Sequence, residues 1–354
     1  SGTPTESGTV TVTVTSVGDP VCTPAATAEF TVTVKPLPTV ALSSTAQTVC
    51  AGSEISPVTI TAGNGEITVS DLHGLDYNAT AGTISGTPTE SGTVTVTVTS
   101  VGDPVCTPAA TAEFTITVNP LPEVSVTNNV QTICMDNQIQ EMEIIYSNGT
   151  IESVTGLPEN VKWSDTPSGA TIFGAPAEYG TFNATVTVTS DQGCGTATAD
   201  VTITVKPNPE VTVSNNFQTV CENSAITAME ITATHATIEN VTGLPTGVSW
   251  SKDSSGATGT ISGTPTEYGT FNVTVTVNSD QTPSCGIAYA YVRITVKPLP
   301  TVLLSSTEQT VCAGGTITPI EITAANGEIT VENLHGLDYD ATTRTISGTP
   351  TESG

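Results

Sequence analysis

Eight cysteines are the residues of this sequence whose type and spacing could do chemistry. They alternate between short intervals of 27 or 28 residues and long intervals of 56 to 64 residues. The spacing contains no Cys-x-x-Cys pair and no Cys–His pair suited to zinc, so it favours disulfide bonds formed in an oxidising compartment. The protein is therefore expected outside the cell or at the cell surface. The cysteines are Cys22, Cys50, Cys106, Cys134, Cys194, Cys221, Cys285 and Cys312.

Other chemistry has little support in the sequence. The three histidines, His73, His235 and His335, accompany no arrangement of nucleophile, base and orienting group, and the carboxylates are dispersed over turns and predicted outer faces. We therefore expect no catalytic residues, no cofactor and no metal site. Calcium is also not expected, because the junctions between repeats lack the several oxygen ligands that this ion requires.

The net charge restricts the partners. The chain has 34 acidic residues against 7 basic ones, for a formal charge of −27. Such a surface repels nucleic acid and anionic lipid, whose recognition needs clustered Lys and Arg. No apolar run approaches the roughly 18 residues that a membrane span needs. Neither nucleic acid nor a membrane span is expected for this stretch of chain.

An eight-residue phrase reveals the internal organisation. "SGTPTESG" occurs at 1–8, 85–92 and 347–354, with variants at 173–180 and 262–269, so the sequence repeats every 84 to 89 residues. Residues 1–31 are identical to 85–115, and both ends fall inside a repeat. We expect a window of a longer periodic chain. The alternative is that separate chains join because one partial copy completes the other.

Short alternating stretches predict the secondary structure of each copy. "TVTVTVTS" at 93–100 places every Val on one face of a strand and every Thr on the other. One full copy has seven such strands and no helix, which predicts a β-sandwich. Segment 1–38 would hold the last two strands of a copy, and segment 301–354 the first five. Stiff proline spacers separate the segments, whose predicted boundaries are 1–38, 39–122, 123–209, 210–300 and 301–354.

Three motifs carry a family resemblance. "GLPENVKW" (156–163) and "GLPTGVSW" (243–250) share Gly-Leu-Pro and Trp, the second is followed by Gly-x-Ile-x-Gly at 259–263 and then a strand that starts at Gly, and "QTVC" begins at 47. These motifs resemble bacterial Ig-like and cadherin-like repeats, and the PKD-like Ig domains of giant Bacteroidetes surface proteins. The resemblance implies Ig-like domains. Together with the seven predicted strands and the stiff proline spacers, it predicts an all-β tandem array of seven-stranded Ig-like β-sandwich domains forming an extended rod. It also implies core positions for Trp163 and Trp250, with Tyr77 and Tyr339 in the same place in the other copies.

The predicted sandwich indicates how the cysteines pair. Half of them are expected at the turn between the first and second strands, at one pole. The others are expected at the turn between the last two strands, at the opposite pole. A bond within one domain would have to span about 25 Å, whereas the Cα atoms of a disulfide lie about 4.4–6.8 Å apart. We therefore favour bonds between neighbouring domains, Cys50 to Cys194 and Cys134 to Cys285. Bonds within a domain, if the first strand folds back, and bonds between chains are alternatives. The remaining cysteines would pair outside this window: Cys22, Cys106, Cys221 and Cys312.

These observations favour a structural role. The leading hypothesis is a repeat segment of a long extracellular bacterial fibre or adhesin stalk that acts as a spacer. Its partners would be the neighbouring repeats of the same chain, or copies of itself in a fibre. The alternative is an adhesive module whose loops recognise surface glycans or partner proteins. Aromatic residues form 4% of the chain, which is little for a glycan-binding protein.

Overall fold

The computed structural model describes residues 2–167 and 169–352, and the regular elements in this part are β strands. No helix of the described residues is long and apolar enough to cross a bilayer. The all-β class predicted from the alternating Thr and Val residues is confirmed.

Segment 2–38 forms a hairpin of two antiparallel strands, β1 (Gly8–Ser16) and β2 (Ala26–Val34). The register runs from the pair Gly8 and Val34 to the pair Ser16 and Ala26. The β-branched residues that alternate along both strands favour this extended conformation.

Segment 39–122 forms two four-stranded sheets, in the orders β3-β5-β8-β7 and β4-β10-β9-β6. β4 runs parallel to β10, while the other strand pairs are antiparallel. In the first sheet, the neighbouring strands are the first, third, sixth and fifth strands of the segment. This order is typical of an Ig-like sandwich. The strands are β3 (Thr39–Leu42), β4 (Ala46–Cys50), β5 (Val58–Gly63), β6 (Glu66–Ser70), β7 (Leu75–Asn78), β8 (Thr83–Gly86), β9 (Gly92–Val101) and β10 (Ala110–Asn119).

Each complete copy thus has eight strands, and the prediction of seven was wrong. The strand that the sequence analysis missed is β7, which has only four residues, Leu-Asp-Tyr-Asn. Two of the four, Asp76 and Asn78, belong to residue types that are depleted in strands. β7 is nevertheless held at the edge of its sheet by pairing with β8, from Leu75 opposite Gly86 to Asn78 opposite Thr83.

The next two segments repeat these strand orders. Segment 123–209 contains β11 (Glu123–Val126), β12 (Val130–Cys134), β13 (Met142–Ser147), β14 (Gly149–Thr155), β15 (Val161–Thr166), β16 (Gly169–Gly174), β17 (Gly180–Ser190) and β18 (Thr196–Lys206). Segment 210–300 contains β19 (Glu210–Val213), β20 (Phe217–Cys221), β21 (Met229–Thr234), β22 (Ala236–Thr242), β23 (Val248–Lys252), β24 (Thr258–Gly263), β25 (Gly269–Ser279) and β26 (Ile287–Lys297).

Segment 301–352 forms a single sheet in the order β27-β28-β30-β29. Residues 309–312 and 328–332 form no strand, although their counterparts form β4 and β6 in segment 39–122. The reason is that β4 and β6 pair with β10 and β9, and 301–352 lacks those two sequences. The expectation of five strands here was therefore wrong. The strands are β27 (Thr301–Leu304), β28 (Ile320–Ala325), β29 (Leu337–Asp340) and β30 (Thr345–Gly348).

The core of segment 39–122 lies between its two sheets. Val96 and Val98 of β9 and Phe114 of β10 are fully buried and belong to one apolar cluster with Val58 and Ile84 of the other sheet. Burying a side chain of this size contributes roughly 1.5–3 kcal/mol. The Thr residues that alternate with these apolar residues lie on the outer face.

The chain divides into two compact units. The first comprises the residues up to Gln131, Gln140–Gly174 and Phe182–Ile203, and the second comprises Thr132–Ile139, Ala175–Thr181 and the residues from Thr204 onward. This division runs through segment 123–209, so the five segment boundaries stay a prediction.

Candidate functional site: disulfide-bonded turns and loops

Two disulfides join cysteines that are far apart in the sequence. Cys50 is bonded to Cys194, with 5.5 Å between the Cα atoms and a sequence separation of 144 residues. Cys134 is bonded to Cys285, with 5.4 Å between the Cα atoms and a separation of 151 residues. The structure thus brings together the two pairs that the sequence analysis favoured. Each bond connects one segment with the segment that follows it.

The turn after Cys50 is held by three backbone hydrogen bonds. Ala51 N donates to Asn119 O at 2.9 Å and Ser53 N donates to Cys50 O at 2.9 Å. Gly52 N donates to Pro88 O at 2.8 Å. Pro88 belongs to the repeated "SGTPTESG" phrase, so this phrase supports the turn that presents the cysteine.

The turn after Cys134 is built in the same way. Met135 N donates to Lys206 O, and Asp136 N donates to Pro176 O, both at 2.9 Å. Asn208 lies in the proline spacer and donates from Nδ2 to Met135 O at 3.3 Å. The phrase thus contacts the cysteine turn in both segments.

A glutamine three residues before the cysteine closes the loop on its other side. Gln47 donates from Nε2 to Ser56 O at 2.7 Å and accepts at Oε1 from Ser56 N at 2.9 Å. This glutamine had no predicted role, although its recurrence in "QTVC" and "QTIC" was a usable signal. The same two bonds join Gln131 to Gln140, Gln218 to Thr227 and Gln309 to Thr318.

The second cysteine of each bond lies in the loop between the last two strands. Ser190 N donates to Gly195 O at 2.9 Å, and Gln192 N donates to the Ser190 hydroxyl at 3.2 Å. In segment 210–300, Ser279 and Gln281 make the corresponding contacts. These loops therefore present Cys194 and Cys285 from a hydrogen-bonded base.

Four cysteines are unbonded within the described residues. One of them, Cys106, is buried, and its Sγ lies 3.7 Å from Lys35 O. Beside it, the Lys35 ammonium forms an ion pair with Asp103, which lowers the pKa of the Asp103 carboxyl and raises the pKa of Lys35. Pairing with cysteines outside this sequence stays a prediction for Cys22, Cys106, Cys221 and Cys312.

The four predicted core aromatics are partly buried. Trp250 and Tyr77 pack against the apolar clusters of their segments. All four lie opposite an isoleucine of the neighbouring strand, so they occupy one structural position despite their different local sequences. The pairs are Tyr77 with Ile84, Trp163 with Ile172, Trp250 with Ile261 and Tyr339 with Ile346.

Histidines and carboxylates do not gather into a metal site in the part of the chain that the structure describes, where no group of three or more His, Cys, Asp or Glu side chains is placed to hold an ion. His73, His235 and His335 adopt positive φ angles in turns. His335 lies 3.3 Å from a carboxylate oxygen of Glu352, on the surface.

The proline spacers 35–38 and 119–122 are attached to the segments that follow them. Pro38 and Pro122 are buried. Asn64 donates from Nδ2 to Leu37 O at 3.2 Å, and Asn148 makes the same bond to Leu121 O at 3.0 Å. These two spacers thus pack on the segments that follow them.

Comparison with known proteins supports the Ig-like character of the repeats. Residues 207–297 match the family model described as "Putative Ig domain". The expected resemblance to Ig-like repeats is thereby confirmed, whereas the bacterial group stays a prediction.

The chain is also similar to curated adhesins. It is 31% identical over 217 residues to the "Serine-rich adhesin for platelets" of Staphylococcus aureus strain MRSA252, which covers 58% of this chain and 15% of that protein. The same protein of strain USA300 matches at 31% identity over 9% of its length. The chain therefore spans a small part of these relatives.

Solved structures of Ig domains also match this chain. A three-domain Ig segment of titin is 13% identical, with a TM-score of 0.42 over 73% of this chain and 98% of that structure. The first eight Ig domains of Down Syndrome Cell Adhesion Molecule are 12% identical, with a TM-score of 0.40 over 97% of this chain and 49% of that structure.

Proposed function

We propose that this chain is a spacer segment of an extracellular adhesion protein, in which disulfides between successive Ig-like repeats limit how far the chain can be stretched. The observation that carries the proposal is that the two disulfides interlock. Cys134 lies between Cys50 and Cys194 in the sequence, and Cys194 lies between Cys134 and Cys285.

Interlocking shortens the covalent route through the chain. The shortest route from Cys50 to Cys285 crosses the first bond to Cys194, runs back along the chain to Cys134 and crosses the second bond. At about 3.5 Å per extended residue this route is about 200 Å long, whereas the same stretch without disulfides extends to about 800 Å. A pulled segment therefore stays short even if its sandwiches unfold.

Several observations support an extracellular location and a role in adhesion. Disulfides persist in oxidising compartments, and a large net negative charge keeps a long chain soluble. The similarity to staphylococcal proteins named as an adhesin for platelets also supports a role in adhesion. The hydrogen-bonded cysteine turns and the buried spacer prolines fit a structural role, and we assign the chain no catalytic activity.

Single-molecule stretching of the chain, held at its two ends, tests this proposal. Serine variants of Cys50 and Cys194 remove one bond, variants of Cys134 and Cys285 remove the other, and the fourfold variant removes both. The fully extended length should increase by about 100 Å when either bond is lost and by about 600 Å when both are lost. The increase is not additive because either bond alone still keeps the route from Cys50 to Cys285 far shorter than the route without disulfides.

The matched control is Cys22→Ser, which removes an unbonded cysteine and should leave the length unchanged. Reduction of the wild-type chain should reproduce the fourfold variant. A wild-type chain that extends fully under oxidising conditions would contradict the proposal.

A further inference from the structure

One outer sheet face of segment 210–300 carries exposed aromatic side chains. Tyr289 and Tyr291 on β26 are 53% and 69% exposed, and Phe217 on the neighbouring β20 is 71% exposed. Arg293 follows on the same side of β26 and lies directly opposite Phe217 in the register. We call these four residues the aromatic face.

The other complete segments have no such face. At the four corresponding positions, segment 39–122 has Ala46, Thr111, Glu113 and Thr115, and segment 123–209 has Val130, Thr198, Asp200 and Thr202. There the central acid is held by a neighbour, since the Thr185 hydroxyl donates to Asp200 Oδ1 at 3.0 Å. The aromatic face therefore replaces a threonine and carboxylate surface in one repeat only among the three complete ones.

Sheet stability alone explains little of this replacement. Aromatic residues on an outer face stabilise a sheet by covering their cross-strand neighbours, which here are Thr276 opposite Tyr289 and Thr274 opposite Tyr291. Rings that remain more than half exposed cover those neighbours only in part. Exposed Tyr rings beside an Arg instead offer a ligand flat apolar surfaces and a planar charged donor.

The charge of this face is opposite to that of the whole chain. The outward positions of β20, β25 and β26 carry Arg293 and Lys297 and no acidic residue, although the chain has a net charge of −27. Among the strands of this sheet, the acidic residue is Glu239 on β22, the edge strand on the far side of β25. Salt largely screens charges that lie more than about 8–10 Å away. A ligand at this face therefore meets a local positive charge.

The size of the face indicates a small ligand. Its backbone area extends about 14 Å along β26 from Tyr289 to Arg293 and about 5 Å across to Phe217 on the next strand, judged from strand rise and strand spacing. That area is well below the approximately 800 Å² per partner of a stable protein interface. A few sugar rings fit such a surface, and a folded partner does not.

We propose that the aromatic face binds a short oligosaccharide that carries carboxylate groups. Tyr289 and Tyr291 lie two residues apart on one face of a strand, about 6.8 Å, and they offer flat apolar surfaces on which the C–H faces of successive sugar rings stack. The Arg293 guanidinium pairs with a sugar carboxylate through two parallel hydrogen bonds. Asn272 and Thr274 on β25 supply polar groups beside the rings.

Isothermal titration of the 354-residue chain with trigalacturonic acid at low salt tests the proposal. The acidic trisaccharide should bind with a saturable isotherm, and the neutral trisaccharide of galactose should bind at least tenfold more weakly. Tyr289→Thr and Arg293→Thr should each weaken binding of the acidic sugar at least tenfold. Both variants introduce the residue that the sister repeats carry at that position, so the fold should be retained.

The matched control is Thr198→Ala, which changes the position of segment 123–209 that corresponds to Tyr289 and should leave binding unchanged. Three results would overturn the proposal. They are no saturable binding of the acidic trisaccharide, binding of the neutral trisaccharide as strong as that of the acidic one, or binding of the acidic trisaccharide by either variant as strong as by the wild type. Stronger binding of penta-glutamate than of the acidic sugar would also overturn it, since it would identify an acidic peptide as the partner.

Discussion

The hairpins 8–34 and 92–118 have nearly the same sequence and very different surroundings. Both pair in the same register, with Val12 opposite Phe30 in one and Val96 opposite Phe114 in the other. Val12 and Phe30 are 39% and 58% exposed, whereas Val96 and Phe114 are fully buried. The difference is the second sheet, which segment 39–122 provides and the described residues of 2–38 do not.

This comparison separates two levels of structure. Strand formation and pairing follow from local alternation of Thr and Val, so they are the same in both hairpins. Burial, and the stability that comes with it, depends on the facing sheet, because a two-stranded hairpin alone is at best marginally stable in water. Segment 301–352 shows the same dependence, because residues 309–312 and 328–332 form no strand there although their counterparts form β4 and β6 in segment 39–122.

The largest expected effect comes from truncating the same aromatic residue in both hairpins. Phe114→Ala should lower the local unfolding free energy of β10 by about 3–5 kcal/mol, because it leaves a cavity in a closed core. Phe30→Ala should have an effect below about 1 kcal/mol, since its ring is mostly exposed. Site-resolved hydrogen exchange of the β10 and β2 amides measures both. Equal losses would contradict the comparison.

A smaller effect is expected at the glycine of the repeated phrase. Gly86 has φ +137, and an added Cβ would lie 3.0 Å from Leu75 Cα, so Gly86→Ala should cost about 1–3 kcal/mol. The matching Gly2→Ala should be neutral, because nothing lies within 4 Å of its Cβ position. Thermal unfolding of the two variants distinguishes them, and an equal shift in Tm would show that the phrase is not positioned by its segment.

The sequence predicted the strands where alternation is long and failed where neighbours decide. β9 and β10 follow directly from their alternating Thr and Val or Ile residues. β7 was missed because four residues with Asp and Asn carry no strong local signal, and its pairing with β8 creates the strand. The aromatic face was missed for a similar reason: Phe217 joins Tyr289 and Tyr291 only through the parallel pairing of β20 with β26.

The cysteine pairs of the candidate site were predictable from the sequence, whereas the hydrogen bonds that hold the cysteine turns were not. Spacing and strand direction favoured Cys50 with Cys194 and Cys134 with Cys285, since those arguments need only the poles of a sandwich. The hydrogen bonds of Gln47 to Ser56 and of Gly52 to Pro88 depend on how loops from distant parts of the sequence meet. Alternation along strands contains no information about such contacts.

The smallest expected effect is a pH dependence within the repeated phrase. Glu267 accepts hydrogen bonds from Thr246 N at 2.8 Å and from the Thr246 hydroxyl at 2.9 Å, and these bonds lower the pKa of its carboxyl. A lowered pKa in the folded state contributes stability above the unfolded value of about 4.3, and this stability is lost as the pH falls through the folded pKa.

Glu267→Gln should therefore flatten part of the loss of stability as the pH falls below the unfolded value of about 4.3. Thr246→Ala keeps the backbone donor and should have an intermediate effect. Unfolding of the two variants and the wild type as a function of pH measures this, and an unchanged profile for Glu267→Gln would refute the assignment.

Disulfide mapping tests the central claim, that bonds connect each repeat to the next, most directly. Free thiols of the oxidised chain are first blocked, the chain is cut beside its acidic residues without reduction, and the linked peptides are identified by mass spectrometry. We predict peptide pairs that contain Cys50 with Cys194 and Cys134 with Cys285. Pairs that join Cys50 to Cys106 and Cys134 to Cys194, inside single repeats, would contradict the account.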